Sequence, residues 1–223
     1  GMEQIREHKC TAAVSATTFL QMFMNEYDPQ RDDISSMRLW TAADRDDERG
    51  FAVVRPGLDA GATLLDTADA YCLDDGDVVD NERLIARALA GWAGDRSRII
   101  VATKGGMRRP RGAWVSDARA KHLREACDAS RAALGVETID LYQLHAVDPR
   151  TPIETSVRAL ARLQDDGKIR DVGLCNVTVS QIQAARAVVS IASVQVSLSP
   201  LDDESLRNGV AEYCRDNGIR LIA

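Results

Sequence analysis

The sequence is poor in aromatic residues and has no long hydrophobic run. Phe, Trp and Tyr make up 4% of its 223 residues, and no apolar stretch approaches the roughly 20 residues that a membrane-spanning helix needs. The formal net charge of −6 argues against a broad binding surface for nucleic acids or for anionic membranes. The sequence therefore predicts neither a nucleic-acid partner nor a membrane association.

Several ligand-binding motifs are missing as well. No G-x-G-x-x-G follows a predicted first strand, and there is no G-x-x-x-x-G-K-[ST] phosphate loop. The three histidines, His8, His122 and His145, are far apart and lack carboxylates at ligand spacing, which argues against a metal site. The five cysteines include no C-x-x-C pair, a pattern typical of reduced thiols and hence of a cytoplasmic protein.

From about residue 34 onwards, short apolar runs alternate with helical patterns. The predicted strands are 34–39, 63–66, 99–103, 138–144, 171–174, 194–196 and 219–222. The predicted helices are 44–60, 81–92, 117–134, 152–166, 179–189 and 203–217. This alternation is typical of a parallel sheet covered by helices.

The same pattern divides the chain into two parts. We predict an atypical N-terminal extension, helical or partly disordered, over residues 1–33, and a single α/β domain over residues 34–223. The initial Gly1-Met2 is typical of a remnant of tag removal, so Gly1 is not expected to take part in the fold.

Several helix ends carry recognisable signals. Thr151 is followed by Pro152 and Glu154, which predicts a capping box with proline in the first turn. Thr178 with Gln181 repeats the capping-box spacing. Gly135 and Gly167 stand where helix C-caps are expected.

Four chemically distinctive residues follow apolar, strand-like runs. Asp66 and Tyr71 come after the run ATLL, Lys104 after RIIVAT, and His145 after IDLYQL. In a parallel α/β fold, the carboxyl ends of the strands are where chemistry takes place. The phenol of tyrosine has a pKa near ~10, and a nearby cation such as Lys104 lowers it. With Asp66 holding the ammonium and His145 bonded to a substrate oxygen, the four residues suit proton transfer to a carbonyl.

Each of these residues alone has a commoner structural explanation. Asp66 can be a strand-end cap, Tyr71 a packed loop aromatic, Lys104 a solvated side chain and His145 a satisfied core histidine. Their joint occurrence in this order favours a catalytic interpretation. Trp114 is expected to pack, although its place in a loop would let it line a substrate pocket.

The motifs LLDTADAY, VATKGG, IDLYQLH, VGLCN and VQVSLSP, taken in this order and spacing, resemble the aldo-keto reductase family. The resemblance covers roughly residues 57–223. It implies a (β/α)8 TIM-type barrel that uses NADPH or NADH to reduce small-molecule aldehydes or ketones. It also implies that Asp66, Tyr71, Lys104 and His145 form the catalytic tetrad, with Tyr71 as the proton donor. Residues matching the family's nicotinamide site are Asp66, Asn176 and Gln195.

The sequence also departs from the family pattern. Leu198 stands where an aromatic residue often stacks on the nicotinamide ring. The sequence ends after the seventh predicted strand, so we expect an incomplete barrel of about seven strands, whose open edges self-association can cover. Two alternatives to an active reductase follow: a catalytically weak nicotinamide-nucleotide-binding or regulatory barrel protein, and a degenerate, truncated fragment.

Overall fold

A computed structural model describes residues 39–41, 54–197 and 204–223. Its strands are β1 (Leu39–Thr41), β2 (Leu64–Asp66), β3 (Ile100–Gly105), β4 (Met107–Arg108), β5 (Val115–Ser116), β6 (Ile139–Leu144), β7 (Ile169–Cys175), β8 (Ser193–Gln195) and β9 (Arg220–Ile222). Strands β4 and β5 form a small antiparallel hairpin, and the other seven form one sheet in the order β1-β2-β3-β6-β7-β8-β9. All pairings in this sheet are parallel. The predicted incomplete β/α barrel of about seven strands is confirmed.

Helices connect the strands in the alternation that the sequence predicted. They are α1 (Asp80–Ala90), α2 (Ala120–Leu134), α3 (Ile153–Asp165), α4 (Val179–Arg186), α5 (Glu204–Arg207) and α6 (Val210–Asp216). Residues 54–59 are also helical. Among the described residues, none of the helices has the length and apolar character needed to cross a bilayer.

The predicted helix ends are right in three cases and wrong in one. Thr178 and Gln181 form the reciprocal capping box of α4, and Gly135 and Gly167 follow α2 and α3 with positive φ angles of 68° and 71°. The capping box predicted at Thr151 does not form, because its hydroxyl donates to Asp148 Oδ2 at 3.4 Å instead. Helix α3 begins after its N-cap residue, Pro152.

The last predicted helix, 203–217, is interrupted. Gly209 adopts a left-handed conformation with φ 82°, which an α-helix does not accommodate, so α5 and α6 are separate. The predicted first strand overlaps β1 only at Leu39, since residues 34–38 lie outside the described residues. The predicted extension 1–33 and the segment 44–53 of the predicted first helix also lie outside them.

The hydrophobic core has a large outer layer and a small inner layer. The outer layer lies between the sheet and the helices, where Leu65, Val101 and Tyr142 pack against helical residues such as Leu123 and Leu160. Side chains at alternate positions of the same strands point to the other face of the sheet, into the barrel. There a second cluster of Ala102, Leu141, Ile222, Leu64 and Ala192 forms the inner layer.

Candidate active site

Above the apolar inner layer, the inward positions of the strands become polar. Asp66, Lys104 and Gln143 each stand two residues beyond an inner-layer residue on β2, β3 and β6, and the parallel register places Lys104 beside Gln143. All three are buried, with at most 2% of each side chain exposed. The period of two along each strand therefore brings them to the carboxyl end of the barrel.

Lys104 is the centre of the candidate active site. Its ammonium donates hydrogen bonds to Asp66 Oδ2 at 2.6 Å, to the carbonyl of Thr67 at 2.8 Å and to Tyr71 Oη at 3.1 Å. Burial alone would lower the pKa of Lys104, but the charge of Asp66 raises it above its ordinary value. Lys104 is therefore a permanent cation next to a phenol.

Tyr71 lies in the loop that follows β2. The loop folds back onto the sheet, because the backbone N–H of Asp69 donates to the carbonyl of Lys104 at 3.2 Å. Burial raises the pKa of Tyr71 above 10.0, and this effect outweighs the opposing charge of Lys104. The sequence-based expectation of a lowered phenol pKa is therefore wrong, because burial raises the pKa of Tyr71 and the charge of Asp66 adds to the increase. Tyr71 accordingly keeps its proton at neutral pH.

His145 follows β6 and closes the other side of the site. Its backbone N–H donates to the carbonyl of Gly105 at 2.9 Å, and its ring meets that of Tyr71 edge-on at 5.6 Å between centroids. Burial and the charge of Lys104 lower the pKa of His145 to about 3. The imidazole is therefore neutral, and its Nδ1 has no hydrogen-bond partner in the part of the chain that the structure describes.

Trp114 and Arg109 form the outer wall of the site. The Trp114 ring lies 5.8 Å from that of His145 and 6.5 Å from that of Tyr71, and it is 52% exposed. The guanidinium of Arg109 stacks 3.9 Å from the Trp114 ring centroid and donates to the carbonyl of Cys72 at 3.2 Å. Arg109 thus ties the β4–β5 hairpin to the loop that carries Tyr71.

The two residues predicted to hold the nicotinamide, Asn176 and Gln195, lie at neighbouring strand ends. The backbone N–H of Asn176 donates to the carbonyl of Gln195 at 3.0 Å, and the Asn176 side chain is exposed. The amide of Gln195 donates to Asp66 Oδ2 at 3.1 Å. The structure therefore brings all six predicted site residues to one end of the sheet, whereas Leu198 lies outside the described residues.

Gln143 and Ser193 also belong to this end of the barrel, and the sequence analysis missed them. The Gln143 amide donates to Asp66 Oδ1 at 3.3 Å and to Gln195 Oε1 at 3.0 Å. The Ser193 hydroxyl donates to Gln143 Oε1 at 3.2 Å. The available signal was a glutamine between Tyr142 and Leu144 near the carboxyl end of β6. Gln143 points into the barrel, and this inward position explains why a polar residue stands there.

A second polar cluster, the acidic cluster, lies on the opposite face of β3 and consists of Glu82, Asp69, Thr103 and Tyr142. All four side chains are buried, with at most 3% exposed, and the Thr103 hydroxyl donates to Glu82 Oε1. Burial raises the pKa of Glu82 to about 7, although the Thr103 hydrogen bond opposes the shift. Burial, followed by the charge of Glu82, raises the pKa of Asp69 well above its ordinary value.

The arrangement differs from a metal centre. No group of three or more His, Cys, Asp or Glu side chains in 54–197 and 204–223 is placed to hold a metal ion. Near the candidate active site, Asp66 is already paired with Lys104 at 2.6 Å. The chemistry available here is instead proton donation by a phenol beside a fixed cation.

Comparisons with known proteins agree with this geometry. The sequence profile of the Aldo/keto reductase family matches residues 37–223. The chain belongs to this family. The resemblance inferred from the five motifs is therefore confirmed, and the match includes every strand from β1 to β9.

Two curated relatives cover most of the chain. The aldo-keto reductase str7 of Strobilurus tenacellus is 37% identical over 180 residues, which are 80% of this chain and 50% of that protein. An uncharacterised oxidoreductase of Schizosaccharomyces pombe is 32% identical over 184 residues, 82% of this chain and 54% of that protein. The chain thus spans about half the length of the curated relatives it matches.

Solved structures of aldo-keto reductases share the fold. A glycerol dehydrogenase of Gluconobacter oxydans is 30% identical with a TM-score of 0.70, and the match covers 79% of this chain and 53% of that one. An aldo-keto reductase of Klebsiella pneumoniae, solved in complex with NADPH, is 25% identical with a TM-score of 0.60. That match covers 80% of this chain and 57% of the other.

Proposed function

We propose that this protein is an NAD(P)H-dependent reductase of aldehydes or ketones in which Tyr71 is the proton donor. The observation that carries the proposal is the position of the Lys104 ammonium, 2.6 Å from Asp66 Oδ2 and 3.1 Å from Tyr71 Oη. A buried cation within hydrogen-bond distance of a phenol stabilises the phenolate that proton donation leaves behind. Asp66, Tyr71, Lys104 and His145 are the proposed catalytic residues.

The cofactor we propose is NADPH or NADH, which supplies a hydride when bound. Support comes from the Klebsiella pneumoniae relative solved with NADPH and from the residues at the mouth of the site. A backbone hydrogen bond joins Asn176 to Gln195, and the side-chain amides of these two residues complement the donor and acceptor of a nicotinamide carboxamide. Asp66 accepts a hydrogen bond from Gln195, so the proposed cofactor residues and the proposed acid share one network.

The substrate class we propose is a small-molecule carbonyl compound. The reduction adds a hydride to the carbonyl carbon and a proton from Tyr71 to the carbonyl oxygen, which gives the alcohol. A neutral imidazole has one N–H donor, and we assign that of His145 to the same oxygen. Trp114, half exposed beside both groups, forms an apolar wall for the rest of the substrate.

The compartment and the assembly state stay predictions. Four cysteines among the described residues are free thiols, which favours a reducing compartment such as the cytoplasm. Self-association through open strand edges is a further prediction, since unpaired edges present free backbone donors and acceptors.

A binding titration followed by a turnover assay tests the proposal. NADPH and NADH are titrated by calorimetry, and consumption of the bound nucleotide is then followed with a panel of aldehydes and ketones. Saturable binding with turnover supports a reductase. Binding without turnover on any substrate favours the catalytically weak or regulatory barrel, and absence of nucleotide binding contradicts both functions.

A further inference from the structure

Gln143 is a buried polar residue that the proposed mechanism does not use. Its side chain is 0% exposed in the middle of β6, where an apolar residue would pack without needing hydrogen-bond partners. A buried amide destabilises the fold unless its polar atoms are hydrogen-bonded. Both ends of the Gln143 amide are bonded here, and all the partners are side chains that point into the barrel.

The partners of Gln143 come from two other strands, β2 and β8. Its Nε2 donates to Asp66 Oδ1 on β2 at 3.3 Å and to Gln195 Oε1 on β8 at 3.0 Å. Its Oε1 accepts from the Ser193 hydroxyl at 3.2 Å. The Asp66 carboxylate only accepts hydrogen bonds, so it fixes which end of the Gln143 amide faces it. Gln143 thus adds a second connection to the direct hydrogen bond between the proposed catalytic residue Asp66 and the proposed cofactor residue Gln195.

The sheet is shaped to admit this side chain. Gly173 on β7 lies between Gln143 and Ser193, and a Cβ atom at that position would approach Ser193 Oγ to 2.5 Å and Gln143 Cγ to 2.8 Å. Contacts this short would displace one of the two side chains. The absence of a side chain at residue 173 therefore preserves the hydrogen bond between Ser193 and Gln143.

We propose that Gln143 is a positioning residue that holds Gln195 against Asp66, so that the Gln195 amide is oriented to receive the nicotinamide end of the cofactor. This inference rests on the proposed function, because it requires a nicotinamide nucleotide to bind at this mouth. Without Gln143, Gln195 Oε1 loses its nearest donor. The Gln195 amide is then oriented only by its own bond to Asp66 Oδ2 at 3.1 Å and by the more distant Cys175 thiol at 3.6 Å. Gln143 then acts on binding through Gln195, without touching the cofactor.

A double-mutant cycle on NADPH binding tests this role. Gln143→Met keeps the length of the side chain but removes both hydrogen-bonding ends, and we expect it to weaken NADPH binding by about 5- to 20-fold. In a Gln195→Met background, the same substitution should have little further effect, because residues that act as one unit are not additive. Gln164→Met is the matched control, since the Gln164 amide bonds only to the exposed backbone at Arg170.

Each outcome of this double-mutant cycle either supports the positioning role of Gln143 or overturns it. Undiminished binding by Gln143→Met, or a loss that simply adds to that of Gln195→Met, overturns it while the proposed function stands. Failure of the unaltered protein to bind NADPH overturns both. If Gln143→Met does not fold, Ser193→Ala replaces it in the same cycle, with the same coupling to Gln195 expected and a smaller loss of affinity.

Discussion

The two faces of β3 carry buried polar clusters of opposite character. On the inner face, Lys104 pairs with Asp66 at 2.6 Å, so that the charges are balanced. On the outer face, the neighbouring Thr103 contacts Glu82, and Asp69 lies in the same acidic cluster. Neither Glu82 nor Asp69 has a salt-bridge partner among the residues that the structure describes.

The inner cluster contains a cation, Lys104, and the acidic cluster does not. This difference decides how the protonation of the two clusters depends on pH. Lys104 keeps its charge because its carboxylate partner offsets the effect of burial, and the neutral states of Tyr71 and His145 are held by burial. The inner face therefore keeps its protonation states across the neutral range. The acidic cluster, by contrast, must take up a proton near neutrality, because two buried carboxylates without a cation are both disfavoured as anions.

Removing the phenol of Tyr71 should have the largest effect on activity. Tyr71→Phe should lower kcat by about 10²–10⁴, the usual range for a positioned general acid, while NADPH binding survives because the ring remains. Tyr213→Phe is the matched control, since the Tyr213 hydroxyl accepts a hydrogen bond from Arg186 away from the site. Steady-state rates measure both variants. Full activity of Tyr71→Phe would show that the proton comes from another group.

Removing the Lys104 ammonium should leave a buried carboxylate without a cation partner on the inner face, as in the acidic cluster. Lys104→Met leaves Asp66 buried without its partner, which should lower the free energy of unfolding by about 3–5 kcal/mol. It should also lower kcat, and combining it with Tyr71→Phe should add little, because the two groups act as a unit. Urea unfolding measures the stability, with the exposed Lys121→Met as control. Unchanged stability would contradict a stabilising contribution of the Lys104–Asp66 pair.

The acidic cluster should make stability depend on pH. Folding raises the pKa of Glu82 from 4.5 to about 7, which corresponds to about 3 kcal/mol at roughly 1.4 kcal/mol for each pKa unit. The folded chain holds this proton more tightly than the unfolded chain does. The contribution of Glu82 to the free energy of unfolding is therefore complete below the unfolded pKa of 4.5, and it is lost as the pH rises through about 7.

Substituting Glu82→Gln should flatten this dependence. Between about pH 5 and pH 7.5, the free energy of unfolding should fall by on the order of 2 kcal/mol less in the variant than in the unaltered protein. Urea unfolding at both pH values measures how much the free energy of unfolding changes in the variant and in the unaltered protein. Glu125→Gln, at an exposed position on α2, should behave like the unaltered protein. The same pH slope in Glu82→Gln would exclude Glu82 as the titrating group.

The smallest expected effect concerns the outer wall of the site. Trp114→Ala should raise KM for an aromatic aldehyde by about 2- to 10-fold, the usual contribution of one aromatic contact. KM for a short aliphatic aldehyde should change little, because such a substrate does not reach the Trp114 ring. The ratio of the two KM values is the measurement. A proportional rise for both substrates would assign Trp114 to loop packing alone.

The sequence predicted the fold and the positions of the strand-end residues well, for a physical reason. Lys104 and Asp66 follow short apolar runs, and parallel strands bring their carboxyl ends together. Alternation along a strand then decides which face each residue occupies. The sequence positions of Lys104 and Asp66 therefore contain most of the geometry of the candidate active site.

Interactions between side chains distant in the sequence were not predictable in this way. The raised pKa of Tyr71 depends on burial in the folded chain, and the role of Gln143 depends on Ser193, 50 residues further along. Glu82 lies in an ordinary amphipathic pattern on α1, and only the packing of α1 on β3 shows that it is buried beside Thr103. The failure of Thr151 as a cap has a local cause instead, because its hydroxyl donates to Asp148, three residues earlier.

We propose that the residues on the inner face of β3 reduce carbonyl compounds with a hydride from a nicotinamide nucleotide. The most direct test supplies NADPH carrying deuterium at the transferable C4 position, together with an aldehyde, and analyses the alcohol by mass spectrometry. We predict that deuterium appears on the former carbonyl carbon, and that Tyr71→Phe slows its appearance by about 10²–10⁴. Deuterium absent from the product, or transferred equally fast by Tyr71→Phe, would contradict this account.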